Sequence, residues 1–261
     1  MSTADVARFR RGVAGPLVWG HRGASARAPE NTLAAFALAL AEGADGVELD
    51  VRRCATGEVV VLHDPTLLRT AGDPRAVREV PLPALRRLDA GRGECVPLLD
   101  EVIDVVVGSG RLLNVEVKAD GDDRAGLARA VAESLARRTA AERAAIAVST
   151  FDPRMVIGLR RAGLGVPLLF LCEDTRQGRL LGRAVPPLLG TPGINPEHVL
   201  VTPARMARWR ARGLVVTPWT VDDPARIRAL AAAGVDGLIT NDPAGTRRAL
   251  AVGADRARSE A

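Results

Sequence analysis

"PLVWGHRGAS", residues 16–25, is where the fold is decided. An apolar run reads as a strand over 16–20, stops at Gly20, and gives way at once to polar residues. A doubly wound dinucleotide-binding sheet would carry a GxGxxG turn here, so that backbone could approach a pyrophosphate. "GHRGAS" lacks that spacing, which favours the other architecture built from repeated strand and helix, a closed barrel.

Downstream the pattern repeats. "NTLAAFALALAEGA" (31–44) reads as a helix capped by Asn31 or Thr32. "DGVELDVRR" (45–53) is a second strand, and "GEVVVLHD" (57–64) pairs with it through a turn near 55–57. Residues 65–100 form an irregular, proline-rich excursion that leads into a helix over 98–107. Further strands are expected at 111–118, 144–150, 166–172, in a short piece at 197–202, and at 214–221 and 235–242. Helical patterns separate them at 125–138, 153–163, 176–184, 203–213 and 224–234, and one closes the chain at 244–253. Roughly eight strand–helix units in 261 residues predict a (β/α)8 TIM barrel. It would fill 16–253, between an N-terminal extension (1–15) and a C-terminal tail (254–261).

Composition narrows the function. Lys and Arg total 36, all but Lys118 being Arg, and they face 31 acids mixed along the chain. That argues against nucleic acid, which asks for a localised basic block with interleaved aromatics. No stretch is long and apolar enough for stable membrane insertion, and the first twenty residues lack the core of a signal peptide. Cys54, Cys95 and Cys172 are odd in number and widely spaced, as expected of a reducing, cytoplasmic compartment. The sequence sets no oligomeric state.

In a barrel of this kind function gathers where strands end. Glu48 and Asp50 share one face of their strand, and Glu116 and Lys118 share one face of theirs. Barrel strands are buried on both faces, so these charges must be paired or hold a metal. Three carboxylates against one nearby ammonium invite a divalent cation, and all-oxygen ligands point to Mg2+ or Ca2+. His21 and His63 end strands beside this cluster and suit a general base and a general acid. His198, in "NPEHVL", reads as an ordinary loop residue. Lys118 is lysine where the chain otherwise writes arginine: a compact ammonium fits a crowded, metal-filled mouth better than a guanidinium.

Together "GHRGASARAPENTLAAF", "GADGVELDVRRCATGEVVVLHDPTLLRTAG", "LNVEVK", "VSTFDP", "GLVVTPWTVDD" and "GVDGLITNDP" resemble the glycerophosphodiester phosphodiesterase family, in the family's order and over almost all of the chain after residue 15. The resemblance implies a TIM barrel with a small insertion after the second strand, here about 65–100. It implies an enzyme that hydrolyses glycerophosphodiesters, a small-molecule substrate class, to sn-glycerol 3-phosphate and an alcohol. It also implies Glu48, Asp50 and Glu116 as ligands of one divalent cation, His21 and His63 as the acid–base pair, Arg22 and Lys118 facing phosphate, and Trp219 walling the pocket. "LRTAGDP" is a compressed form of the family's usual stretch after HD, which bears on the leaving alcohol. Competing readings are a lysophospholipase D or another phosphodiesterase on the same site, an inactive binding barrel, and an aldolase using Lys118 as a Schiff base. Protonation of Lys118 beside Glu116 disfavours the last.

Overall fold

The computed structural model describes residues 6–119 and 123–259. Eight parallel strands form a nearly closed barrel with helices between them. They are β1 (Leu17–His21), β2 (Gly46–Arg53), β4 (Leu112–Val117), β5 (Ile146–Thr150), β6 (Leu168–Cys172), β7 (Gly193–Pro196), β8 (Val215–Val216) and β9 (Gly237–Thr240). The order around the sheet is β8-β7-β6-β5-β4-β2-β1-β9. Asp236 N donates to Val216 O (2.8 Å) and Ile239 N to Pro218 O (3.0 Å), which brings the two edges together.

Alternation along each strand sorts its side chains. On β2, Val47, Leu49 and Val51 join the main core, while Glu48 and Asp50 take the opposite face. On β1 the same period stacks Trp19 below His21. Trp19 fills the barrel floor so closely that a Cβ on Gly46 or Gly237 would lie 2.7 Å from its ring. Phe9, ahead of the first strand, stacks on Trp19 from outside (centroids 6.1 Å apart) and joins the same core.

β3 (Val59–Val61) pairs antiparallel with β2 and starts the insertion. Its two faces serve different cores. Val59 and Val61 belong to the barrel core; Val60 packs with Leu62, Leu67, Val77, Val80 and Leu85 in a second, smaller one.

Four elements depart from the sequence reading, one of them β8, which spans only Val215–Val216 where a strand over 214–221 is expected. The seventh strand is Gly193–Pro196, and the "EHVL" expected to be extended makes a 3-10 turn, His198–Leu200. Glycine and proline hid a strand that is only four residues long, with Pro196 at its end, where a missing N–H is tolerated. The helix from Arg176 runs through Pro186 and Pro187 to Leu189 and ends at Gly190 in the left-handed region (φ 58°). The closing helix, Pro243–Ser259, passes through Gly253, which weakens a helix by about 1 kcal/mol without ending it.

Candidate active site

Strand register builds the site. His21 lies opposite Glu48 in the β1–β2 pairing, and Asp50 opposite Glu116 in the β2–β4 pairing. Side chains on one face of adjacent parallel strands are neighbours, so the i, i+2 pairs converge. Glu48, Asp50 and Glu116 each offer a carboxylate oxygen, all within 4.8 Å of one another, and all three residues are buried.

Two cations sit against them. Lys118 Nζ is 2.8 Å from Asp50 Oδ1 and also bonds Glu116. Arg22 Nε is 3.2 Å from Asp50 Oδ2. Burial raises the Asp50 pKa, but Lys118 and Arg22 override it and hold the carboxyl well below the usual range. Burial, joined by repulsion from Asp50, pushes Glu48 up to about 8. Burial also pushes Glu116 up to about 7, against the pull of Lys118. With all three ionised, as a bound cation would hold them, the carboxylates exceed the one guanidinium and one ammonium by one negative charge. A divalent cation among the three oxygens would turn that excess positive, and a phosphodiester monoanion would then cancel it. The donor set is therefore suited to a hard divalent cation.

The histidines are held by their Nδ1 atoms. His63 Nδ1 is 2.6 Å from Asp64 Oδ1, and its backbone oxygen accepts from Arg52 Nε (2.9 Å). His21 Nδ1 is 2.7 Å from Asn241 Oδ1, and its Nε2 lies 4.0 Å from Glu48 Oε2. Both imidazoles have lowered pKa values, for which burial is the main cause.

Sequence reasoning missed a supporting ring. Asn31, expected as a cap, leaves that task to Thr32, whose side chain accepts from Ala35 N. Asn31 instead takes a left-handed φ of 58° and donates Nδ2 to Asp50 Oδ2 at 3.0 Å. Asparagine's tolerance of that conformation was the available signal. Arg22 shares the left-handed region (φ 55°). Arg69, from the insertion, donates Nε to Asp64 Oδ2 (2.6 Å) and bonds both oxygens of Glu30, which in turn accepts from Arg22 (3.0 Å).

The structure brings all eight expected site residues to the same end of the barrel. A cavity of about 260 Å3 is lined by His21, Arg22, Glu48, His63, Glu116 and Lys118 on one side. Phe151, Leu171, Trp219 and Ile239 line the other, with Glu173 at the rim. Asp50 lies beneath, bonded to Lys118 and Arg22. Trp219 meets Phe151 edge-on (centroids 5.6 Å, 87°) and donates Nε1 to Asn195 O. A second groove of about 570 Å3 shares Glu116, Lys118 and Phe151 and runs out past Arg154, Gln177 and Leu181.

Residues 21–245 match the model of the glycerophosphoryl diester phosphodiesterase family. A glycerophosphodiester phosphodiesterase of Caldanaerobacter subterraneus is 31% identical over 236 residues, covering 87% of this chain and 94% of that protein. The Oleispira antarctica phosphodiesterase solved with the product sn-glycerol-3-phosphate superposes with a TM-score of 0.79 at 25% identity, covering 91% of this chain and 97% of that one. The Thermotoga maritima glycerophosphodiester phosphodiesterase gives a TM-score of 0.74 at 28% identity, over 89% and 97% of the two chains. No helix among the described residues is long and apolar enough to cross a membrane.

Proposed function

The chain belongs to the glycerophosphoryl diester phosphodiesterase family of enzymes, and we propose that it cleaves glycerophosphodiesters such as glycerophosphocholine and glycerophosphoethanolamine to sn-glycerol 3-phosphate and an alcohol. The charge balance on the floor of the site carries the reading. Glu48, Asp50 and Glu116 would hold one divalent cation, Mg2+ or Ca2+, which would supply Lewis-acid polarisation of the phosphodiester. The product held by the Oleispira antarctica relative supports the same product class here.

The chain's own residues do the rest. Arg22 and Lys118 take phosphate oxygens and offset charge that builds up in the transition state. His21 and His63 have their Nδ1 atoms engaged, which leaves Nε2 of each for proton transfer. One removes the nucleophile's proton and the other protonates the leaving alcohol. Trp219 and Phe151 wall the apolar side of the cavity and exclude water. The leaving alcohol extends into the groove past Arg154 and Gln177. Three free cysteines, two of them buried, support a cytoplasmic setting.

Release of glycerol 3-phosphate from the two diesters, with Mg2+, Ca2+ or EDTA, tests this reading. Turnover abolished by EDTA and restored by one cation is expected. No release under any cation would overturn the substrate assignment and favour a lysolipid or another phosphodiester.

A further inference from the structure

We propose that Asp222, acting through Asn241, sets the tautomer of His21 and is a positioning residue for the reaction. The inference rests on His21 belonging to the acid–base pair. Its physical basis lies outside the cavity.

A carboxamide has two ends of nearly the same shape and opposite hydrogen-bonding character. Whichever end of Asn241 faces the imidazole decides where a neutral His21 keeps its proton. The oxygen end, 2.7 Å from His21 Nδ1, requires Nδ1–H and leaves a lone pair on Nε2. The amino end would require the reverse and block Nε2 as an acceptor. Ser25 Oγ, 2.8 Å from Asn241 Oδ1, does not decide between the two, because a hydroxyl both donates and accepts.

Asp222 does decide. Its Oδ2 lies 2.6 Å from Asn241 Nδ2, and a carboxylate only accepts. Turning the amide over would set oxygen against oxygen at that distance. Asp222 cannot swing away without loss, because its Oδ1 accepts from Thr240 Oγ1 (2.9 Å) and from the Asn241 backbone N–H (2.8 Å). His63 reaches the same tautomer in one step, since Asp64 is itself acceptor-only. His21 reaches it in two, through a group that could face either way.

The test reads the ring nitrogens directly. The full chain has three histidines, so long-range 1H–15N spectra with Mg2+ present can be assigned using His63→Gln and His198→Gln variants. The measurement is made at slightly alkaline pH, above the ordinary imidazole value, where the neutral ring is observed. The expected wild-type signature is a protonated Nδ1 and an unprotonated Nε2. Asp222→Ala should show both tautomers and lose about 10- to 100-fold in kcat for glycerophosphocholine, with KM little changed. Asp222→Asn should behave similarly, because its amide must present a donor to the Asn241 N–H or to the Asn241 side-chain amide. Exchanging the pair, Asp222→Asn with Asn241→Asp, should restore the Nδ1–H tautomer and most of kcat: the carboxylate then accepts from His21, and residue 222 donates to it. An Nε2–H signature in the wild type would overturn the proposal. So would Asp222 variants that leave tautomer and kcat unchanged, or an exchange no better than Asp222→Asn alone. The wild-type spectrum decides the tautomer even where no diester is turned over.

Discussion

Asp50 and Glu116 face each other across the β2–β4 register, and one ammonium, Lys118 Nζ, bonds both. Two acidic side chains on neighbouring strands are thereby held together by a single cation. The geometry uses a small cation on a flexible stem.

Replacing Lys118 by Met should lower kcat about 100-fold, the scale seen when a charge-stabilising donor is removed from a transition state. Lys118→Arg should recover little, because a planar guanidinium cannot place one nitrogen between the two carboxylates. Steady-state kinetics on glycerophosphocholine check both. Recovery to near wild type with Arg would refute the steric argument.

Asn31 donates to Asp50 from a left-handed backbone. Asn31→Gly keeps that conformation available and removes only the amide. If Asp50 is a cation ligand as proposed, loss of the group that orients it should weaken Mg2+ or Ca2+ binding, measured by calorimetry, by about 10- to 100-fold. Asn31→Ala should do the same and also lower Tm, since alanine strains at positive φ.

Arg69 ties Asp64, behind His63, to Glu30, behind Arg22. Its side chain is 51% exposed, so Arg69→Ala should cost below about 1 kcal/mol of stability at neutral pH. Against the upward push of burial, the Arg69 hydrogen bonds lower the pKa of both Glu30 and Asp64. A carboxylate with a depressed folded pKa stabilises at neutral pH, and that stability is lost as pH falls below its ordinary value, 4.5 for Glu30 and 3.8 for Asp64. The Tm gap between wild type and Arg69→Ala should therefore narrow progressively as the solution is acidified below these ordinary values. A gap that widens in acid would contradict the assignment. Activity should fall more than stability, because both His63 and Arg22 lose a restraint.

Gly23 has a φ of 88°, and a Cβ there would lie 2.6 Å from the Ala35 backbone. Gly23→Ala should cost about 3 kcal/mol, from overpacking and positive-φ strain together. Chemical denaturation measures it directly; a change under 1 kcal/mol would show that the turn after β1 yields easily.

The centre of the site was legible because strand periodicity is rigid. Glu48 with Asp50 and Glu116 with Lys118 could be placed on shared faces from spacing alone, and their apolar neighbours fixed which face was which. The supporting ring was not legible, because its contacts join distant parts of the chain. Arg69 reaches Glu30 and Asp222 reaches Asn241 across separations that no local pattern encodes. Asn31 was misread for a related reason: next to Thr32 it looks like a cap, and only the folded turn shows its amide aimed at Asp50. In the fold itself, error fell where glycine and proline mask regular structure, at β7 and at the end of the helix through Pro186 and Pro187.

β3 is a partition wall with a different interior on each side, and His63 is mounted just beyond it. His21 stands on the barrel proper. His63 is thus held from two sides: Leu62, just before it, packs in the smaller core, while its own backbone oxygen accepts from Arg52 Nε on β2. Leu67, Val77 and Leu85 back Leu62 from that smaller core and belong to no barrel strand. The insertion is in this sense a second mounting for the site, with an interior of its own beside that of the barrel.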